Sequence, residues 1–293
     1  MEMHQLRYVV AVARTGNFSR AAEQCNVSQP SLSQQMQKLE EELGERLFER
    51  TKRLARLTPH GELFLQRAVR ILQEVEAAQR EAGDAKKLVS GKVQLGVLPT
   101  IAPYLLPGVI TRFARSFPGV EVVVQEDTTA RLLKLLAAWE IDFALASEPV
   151  REPRMNVELL FEEELLLALP PQHRLAGKRN VSVKDLEQER FILMQDGHCL
   201  GDQVLQFCSR RELQANVSFR SAQLETVQSL VRAGMGISMV PEMAAHPKRR
   251  DMPQYRSLQG RPARSIVAVW PHGRPPGRAA RQFLNIVRSR SGA

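Results

Sequence analysis

Three short apolar runs alternate with two longer amphipathic stretches between residues 93 and 145, and this alternation constrains the fold most strongly. The strand-like runs are Val93–Val97, Val120–Val124 and Ile141–Leu145, and the helix-like stretches are Leu105–Phe117 and Ala130–Trp139. A β-α-β-α-β order places crossover helices between neighbouring strands, which then run parallel. The sequence therefore predicts an α/β fold.

A second α/β unit follows in the chain and makes the region two-lobed. Its predicted elements are a strand region Leu160–Leu169, a helix Leu224–Ala233 and a strand Ile237–Val240. The apolar segment Ser265–Trp270 can then return to the first sheet, before a last helix over Ala279–Arg288. Residues 90–293 are thus expected to form a two-lobed α/β domain.

The chain is predicted to cross twice between lobe I, about residues 90–160 and 266–293, and lobe II, about residues 161–265. Such a crossing leaves a ligand cleft near the carboxyl ends of the strands. Thr100 and Thr129 each follow a strand and precede a helix. Hydroxyls at this position suit a small polar or anionic ligand, although a single threonine there is more often a helix cap.

The N-terminal segment has a helix, a short turn and a second helix. Apolar residues recur at helical spacing over Leu6–Ala13, and Ser19 is expected to cap the short helix Arg20–Cys25. Ser28 is expected to cap the next helix, which should run to about Glu42. This spacing is typical of a helix-turn-helix, whose second helix enters the major groove of DNA.

The first turn of that second helix has side chains suited to base edges and phosphates. The residues are Ser28, Gln29, Pro30, Ser31, Ser33 and Gln34. The polar face of an unrelated helical bundle is the alternative interpretation.

A dense basic cluster occupies the eleven residues 46–56, in which Glu49 is the one acidic residue. Its members are Arg46, Arg50, Lys52, Arg53 and Arg56. Phe48 and Leu54 can anchor this segment as a wing, and phosphate contacts explain its charge better than solvation does. We therefore expect residues 1–58 to be a winged helix-turn-helix domain, with Arg50, Lys52 and Arg53 among its DNA contacts.

A long amphipathic helix is predicted over residues 59–89, roughly 45 Å at ~1.5 Å per residue. A helix of this length beside a small domain is expected to pair with a second copy.

The net charge of +9 is concentrated near the end of the chain. Residues 1–90 have a net charge of +2, residues 91–245 of −3, and residues 246–293 of +10. We interpret the last segment as a solvated basic face. The chain shows no signal peptide, no apolar run long enough for a membrane span and only three cysteines, so a cytoplasmic location is expected.

Two of the three cysteines, Cys199 and Cys208, are nine positions apart. If the intervening segment is helical, their Cα atoms are separated axially by about 13 Å and their side chains point to opposite faces. A disulfide requires Cα atoms within roughly 4.4–6.8 Å, so the pair can bond only after the segment refolds. His198 would favour a thiolate on Cys199, and Asp202 is one turn further along. The alternative is that both thiols are packing residues.

Over essentially the whole chain, the order of these parts resembles the LysR-type transcriptional regulators. The matching DNA-binding segments are Phe18–Gln24, Ser28–Ser33, Leu47–Arg50 and Leu57–Gly61. The resemblance implies that residues 90–293 are a regulatory domain with the architecture of periplasmic binding proteins. It also implies a homo-oligomer, a tetramer built as a dimer of dimers, that binds double-stranded promoter DNA and contacts RNA polymerase.

The segment Asp196–Leu200, with Asp202-Gln203 and Cys208, resembles the peroxide-sensing members of that family. The resemblance implies that hydrogen peroxide oxidises Cys199 and that Cys208 resolves it as a disulfide. It also implies a peroxide pocket, whose matching residues are Thr100, Thr129, His198, Cys199 and Asp202. Gly201 and the basic Ser209–Arg211 depart from the expected pattern.

Three functions are consistent with these features. The first is a transcriptional activator of oxidative-stress genes that senses peroxide through a Cys199–Cys208 disulfide. The second is a regulator with a small organic effector in the cleft and structural cysteines, and the third is a thiol peroxidase. The DNA-binding signature argues against an enzyme. The scattered His and Cys residues and the lack of a phosphate-binding glycine loop predict no metal or other cofactor.

Overall fold

The computed structural model describes residues 1–50, 55–83, 91–178, 181–245 and 252–289. They belong to two compact units, Met1–Lys87 and Leu88–Ala293. The first is helical with a small hairpin, and the second is α/β, which confirms the predicted fold class.

The first unit is a three-helix core with an antiparallel wing. Its elements are α1 (Met3–Thr15), α2 (Phe18–Gln24), α3 (Gln29–Leu43), β1 (Phe48–Arg50), β2 (Ala55–Leu57) and α4 (Pro59–Gly83). Leu32, Met36 and Leu39 on one face of α3 are buried in its core, so the opposite face is left to solvent. The wing is tied to α3 because Glu40 Oε1 accepts the N–H groups of Leu47 at 2.8 Å and Phe48 at 3.1 Å.

The helix caps partly follow the sequence prediction. Ser28 caps α3 as expected, with its hydroxyl oxygen 3.3 Å from the Ser31 nitrogen. The prediction that Ser19 caps α2 is wrong. Asn17 is the cap, because its extended backbone lets Oδ1 accept the N–H groups of Ser19 at 2.8 Å and Arg20 at 3.1 Å.

Helix α4 is described as far as Gly83, so residues 84–89 of the predicted long helix lie outside the described residues. Within the described part of the chain, no helix has the length and hydropathy needed to span a membrane.

The first half of the second unit has the predicted parallel pairing. Its elements are β3 (Gly91–Val97), α5 (Ala102–Ser116), β4 (Val120–Glu126), α6 (Thr129–Ala137) and β5 (Phe143–Ser147). Strand β3 is central and pairs in parallel with both β4 and β5. Thr100 consequently lies in the turn that follows β3, and Thr129 is the first residue of α6, so both are at the carboxyl edge of this sheet.

Two long antiparallel strands, β6 (Met155–Leu169) and β11 (Ala263–Pro271), join the two lobes. Strand β11 pairs with β5 of lobe I, and the end of β6 pairs with strands of lobe II. The predicted return of the chain to the first sheet is confirmed. Strand β6 begins at Met155, five residues before the predicted Leu160, because pairing with β11 extends it through alternately exposed residues.

The remaining elements build lobe II. They are β7 (Arg190–Met194), α7 (Cys199–Ser209), β8 (Asn216–Ser221), α8 (Leu224–Arg232), β9 (Ser238–Pro241) and β10 (Gln254–Arg256), and α9 (Arg278–Arg288) then packs on lobe I. Each lobe has its own hydrophobic core.

Candidate functional site

Helix α7 places the two cysteines of the motif at opposite ends of one element. Cys199 is its first residue, and Cys208 is its penultimate one. Cys199 packs against the lobe I core, whereas Cys208 is 1% exposed in the lobe II core. Both thiols are free, and the regular helix between them separates their Cα atoms far beyond disulfide range.

Close packing on lobe II holds the start of α7. Gly201 is buried there, and a Cβ at this position would lie 2.8 Å from the carbonyl oxygen of Met194 in β7. On the other side, Gln203 Nε2 donates to Ser147 Oγ at 2.8 Å and to the Glu148 carbonyl at 2.6 Å, both in lobe I. The helix therefore has contacts with both lobes.

A buried arginine, Arg264, lies close enough to Cys199 for its charge to act on the thiol. Arg264 is 2% exposed, and its guanidinium donates to Thr100 Oγ1 at 2.9 Å and to the Thr100 carbonyl at 3.0 Å. Its Nε donates to Glu163 Oε1 at 2.8 Å. The other carboxylate oxygen, Oε2, accepts the N–H of Met243 at 2.9 Å. A buried charge needs such a complete set of partners.

Burial raises the pKa of Cys199 above the ordinary value of a thiol, and the positive charge of Arg264 is the largest opposing influence. The nearby Thr129 hydroxyl also lowers this pKa, whereas the negative charge of Asp202 raises it. At neutral pH the sulfur is therefore a protonated thiol. Arg264, from strand β11, has the largest influence towards the thiolate, and a contribution of His198 stays a prediction.

The hydroxyl of Thr129 is buried, and within the described residues no partner meets the distance and angle of a hydrogen bond. Its nearest interaction is a weak hydrogen bond with the Cys199 sulfur, which lowers the pKa of that thiol and leaves the hydroxyl oxygen able to bond elsewhere. A buried polar atom without a partner is costly and usually marks a place that a water, ion or ligand fills. Thr129 Oγ1 thus offers an open hydrogen-bonding position beside the sulfur.

The other two predicted pocket residues are less enclosed. His198 is the N-cap residue of α7, is half-buried, and makes no side-chain capping hydrogen bond there. Asp202 is exposed in the first turn of the helix. The structure therefore brings Thr129 close to Cys199 and attaches Thr100 to the buried Arg264, whereas Asp202 is exposed.

The predicted DNA-binding residues lie on the solvent face of α3. Ser28, Gln29, Pro30, Ser31 and Gln34 are exposed, and Ser33 is half-buried with its hydroxyl 3.0 Å from Gln29 Nε2. Lys52 and Arg53 lie outside the described residues, and for Arg50 only the backbone, in β1, is described. Arg46 and Arg56 are exposed on the described part of the wing.

Sequence reasoning missed Arg264 because its residue type and its place in the basic final segment suggested a solvated side chain. That interpretation is wrong for this residue, which is fully paired in the interior. Two other arginines of the segment also have partners: Arg274 lies over the ring of Trp139, and Arg288 pairs with Glu158. A signal was present, because Arg264 and Glu163 each stand at an inward position of a strand.

No group of three or more His, Cys, Asp or Glu side chains within the described ranges is arranged to hold a metal ion.

Comparison with known proteins identifies both units. The model of the bacterial regulatory helix-turn-helix protein, lysR family, matches residues 3–62, and the LysR substrate binding domain matches residues 86–292. The chain is 37% identical over 294 residues to a hydrogen peroxide-inducible genes activator of Dickeya chrysanthemi, covering 98% of this chain and 95% of the relative.

Two solved structures are also similar. Full-length OxyR from Pseudomonas aeruginosa, in a cysteine-to-aspartate mutant form, is 30% identical with a TM-score of 0.79, covering 98% of each chain. A hydrogen peroxide-bound cysteine-to-serine mutant of Corynebacterium glutamicum OxyR is 31% identical with a TM-score of 0.66, covering 98% of this chain and 92% of that one. This chain belongs to the LysR family of DNA-binding transcriptional regulators.

Proposed function

We propose that this regulator senses hydrogen peroxide through oxidation of Cys199 and then forms a Cys199–Cys208 disulfide that activates oxidative-stress genes. The observation that supports this most directly is the surroundings of Cys199. A buried cation, Arg264, and the open hydrogen-bonding position at Thr129 Oγ1 lie beside a partly buried thiol. The relatives named for peroxide agree with this proposal.

The first step needs a small polar oxidant held against the sulfur. Thr129 can accept or donate a hydrogen bond to peroxide, and the charge of Arg264 stabilises the thiolate as it develops. The sulfur attacks one peroxide oxygen, the S–O bond forms as the O–O bond breaks, and the thiol proton leaves with the other oxygen as water. The product is a sulfenic acid on Cys199.

The second step requires helix α7 to refold. Cys208 attacks the sulfur of the Cys199 sulfenic acid, the S–O bond breaks, and the hydroxyl leaves as water with the Cys208 proton. Burial raises the pKa of Cys208 to about 11, so this thiol is neutral in the folded resting state. Because each cysteine packs against a different core, closing the disulfide must disturb the contact between the lobes.

We infer the remaining parts of the function from the family and from the surface of α3. The exposed polar start of this helix suits the major groove of promoter DNA, and symmetric half-sites suit a homodimer or a tetramer of two dimers. A shift between lobes would then change the spacing of DNA-binding domains and their contact with RNA polymerase. A protein with these partners acts in the cytoplasm and is a regulator rather than an enzyme.

The test uses full-length protein, a stoichiometric pulse of hydrogen peroxide, mass spectrometry and DNA footprinting. In the unchanged protein we expect loss of two hydrogens as the 199–208 bond forms, and an altered footprint. Cys208→Ser should stop at a Cys199 sulfenic acid and keep the reduced footprint, and Cys25→Ser should behave like the unchanged protein.

A Cys208→Ser protein whose footprint still responds like the unchanged one would contradict the disulfide mechanism. An unchanged protein that binds DNA but is not oxidised would favour an organic effector. Sustained peroxide turnover would favour a peroxidase.

A further inference from the structure

A cation–π contact between Arg211 and Phe207 stabilises the end of α7 nearest Cys208, and it has no part in the mechanism proposed above. The guanidinium of Arg211 lies over the ring of Phe207, 5.4 Å from its centroid. Its other neighbour is Gly260, in the turn between β10 and β11, where an added Cβ would be 3.1 Å from the Arg211 Nη2 atom. Arg211 thus joins the last turn of α7 to a separate part of lobe II.

The same residue is also part of the backbone that closes the helix. The N–H groups of Arg211 and Leu213 both donate to the Cys208 carbonyl at 3.0 Å. The side chain of Cys208 is buried in the lobe II core, and Phe207 packs against that core. The turn that contains Cys208 is therefore held by its own burial, by two backbone hydrogen bonds and by the Arg211–Phe207 contact.

This contact depends on the turn that ends α7, because Arg211 lies two residues beyond the last helical residue, Ser209. The hydrogen bond from the Arg211 N–H to the Cys208 carbonyl folds the chain back so that the guanidinium lies over the Phe207 ring, and this geometry is lost when the turn unwinds. The Cα atoms of Cys199 and Cys208 must approach to roughly 4.4–6.8 Å before their sulfurs can bond, which a helix does not allow. Refolding of the last turn therefore breaks the contact between the Arg211 guanidinium and the Phe207 ring.

We propose that Arg211 is a positioning residue for the resolving cysteine, which restrains Cys208 in the reduced fold and slows disulfide closure without affecting oxidation of Cys199. This inference rests on the proposed function. The step concerned is attack of the Cys208 sulfur on the Cys199 sulfenic acid, with water as the leaving product. Hydrogen peroxide is consumed only in the preceding step.

The experiment separates the two steps in full-length protein treated with stoichiometric hydrogen peroxide. Oxidation of Cys199 is followed with a diketone that traps sulfenic acids, in a Cys208→Ser background, and disulfide closure is followed by mass in the Cys208 protein. For Arg211→Ala we expect an unchanged first rate and a disulfide rate raised about two- to fivefold, as loss of a partly exposed cation–π contact allows. In glutathione buffers, the ratio of oxidised to reduced protein should rise by the same factor.

Matched variants separate this role from general charge or packing effects. Arg211→Lys keeps a cation over the ring and should restore most of the restraint, and Arg210→Ala removes a neighbouring exposed charge and should change neither rate. Phe207→Leu should accelerate closure, and adding Arg211→Ala to it should have no further effect, because the two residues act through one contact.

Equal rates in Arg211→Ala and the unchanged protein, or equal acceleration in Arg210→Ala, would overturn the inference while leaving peroxide sensing intact. Additive effects in the double variant would also overturn it. If the unchanged protein forms no disulfide at all, the proposed function fails and this inference fails with it.

Discussion

Arg264 donates hydrogen bonds to both the hydroxyl and the carbonyl oxygen of Thr100, a residue 164 positions earlier in the chain. The pair joins the turn after β3 to the strand β11, at the point where β11 passes from one lobe to the other. The guanidinium is thereby held where its charge lowers the pKa of Cys199.

Replacing Arg264 with methionine should slow oxidation of Cys199 by hydrogen peroxide at least about tenfold, because the main influence that lowers the thiol pKa is lost. It should also reduce the free energy of unfolding by about 3–5 kcal/mol, since Glu163 is left buried and unpaired. Rapid-mixing kinetics in a Cys208→Ser background and urea unfolding measure the two effects.

The double variant Arg264→Met with Glu163→Gln should recover stability without recovering the oxidation rate. Arg261→Met, whose side chain is 80% exposed, serves as the control. A folded Arg264→Met protein that oxidises at the original rate would exclude a role for this cation.

Thr129→Val should slow peroxide oxidation about tenfold while leaving the thermal stability unchanged or slightly raised. The hydroxyl is buried without a hydrogen-bond partner in the described residues, so its removal costs little in the folded state. The exposed Thr111 hydroxyl, 2.7 Å from the Pro107 carbonyl, provides the matched control Thr111→Val. If Thr129→Val lowered both the thermal stability and the oxidation rate, Thr129 would support the fold and would not act on peroxide.

The rate of Cys199 oxidation should rise with pH by close to tenfold per unit between about pH 6 and pH 8. The cause is that burial keeps the pKa of this thiol raised, so the thiolate fraction grows in proportion to hydroxide across that range. Rates in the Cys208→Ser background measure this dependence without interference from disulfide closure. A flat profile would mean that the thiolate already predominates at neutral pH.

Alanine should have opposite effects at two helical glycines. Gly201→Ala should reduce the free energy of unfolding by about 1–3 kcal/mol, because the added Cβ would lie 2.8 Å from a backbone oxygen in β7. Gly108→Ala in α5 meets nothing within 4 Å and should increase it by about 0.5–1 kcal/mol. Urea unfolding gives both values, and stabilisation by Gly201→Ala would show that α7 can move off β7 without cost.

Base contacts and phosphate contacts should separate in DNA-binding assays. Gln34→Ala should weaken binding to one operator sequence by about 1–3 kcal/mol and leave the salt dependence unchanged, since we propose that this exposed amide of α3 contacts a base edge. Arg56→Ala on the wing should weaken binding to all sequences alike and lower the salt slope by about 1. An identical profile for the two variants would contradict this assignment of α3 and the wing.

The N-terminal unit shows how far local patterns reach. The Ser28 cap, the buried stripe of α3 and the helical state of residues 199–208 depend on hydrogen bonds and periodicities that span fewer than about ten residues. Such features are visible in a single chain because the interacting groups are near neighbours. The wrongly predicted cap of α2 shows the limit of such local patterns. Asn17 and Ser19 are both good capping residues, and Asn17 is the cap because its extended backbone directly precedes the helix.

By itself, the amino-acid sequence determined the two-unit organisation, the polar exposed start of α3 and the separation of Cys199 from Cys208 along a helix. Only the tertiary structure decided that these cysteines pack against different cores and that Arg264 is the cation near Cys199. The reason is physical: strand pairing brings residues more than 100 positions apart into contact, and desolvation depends on everything that surrounds a group. Neither quantity can be read from a residue's neighbours in the chain.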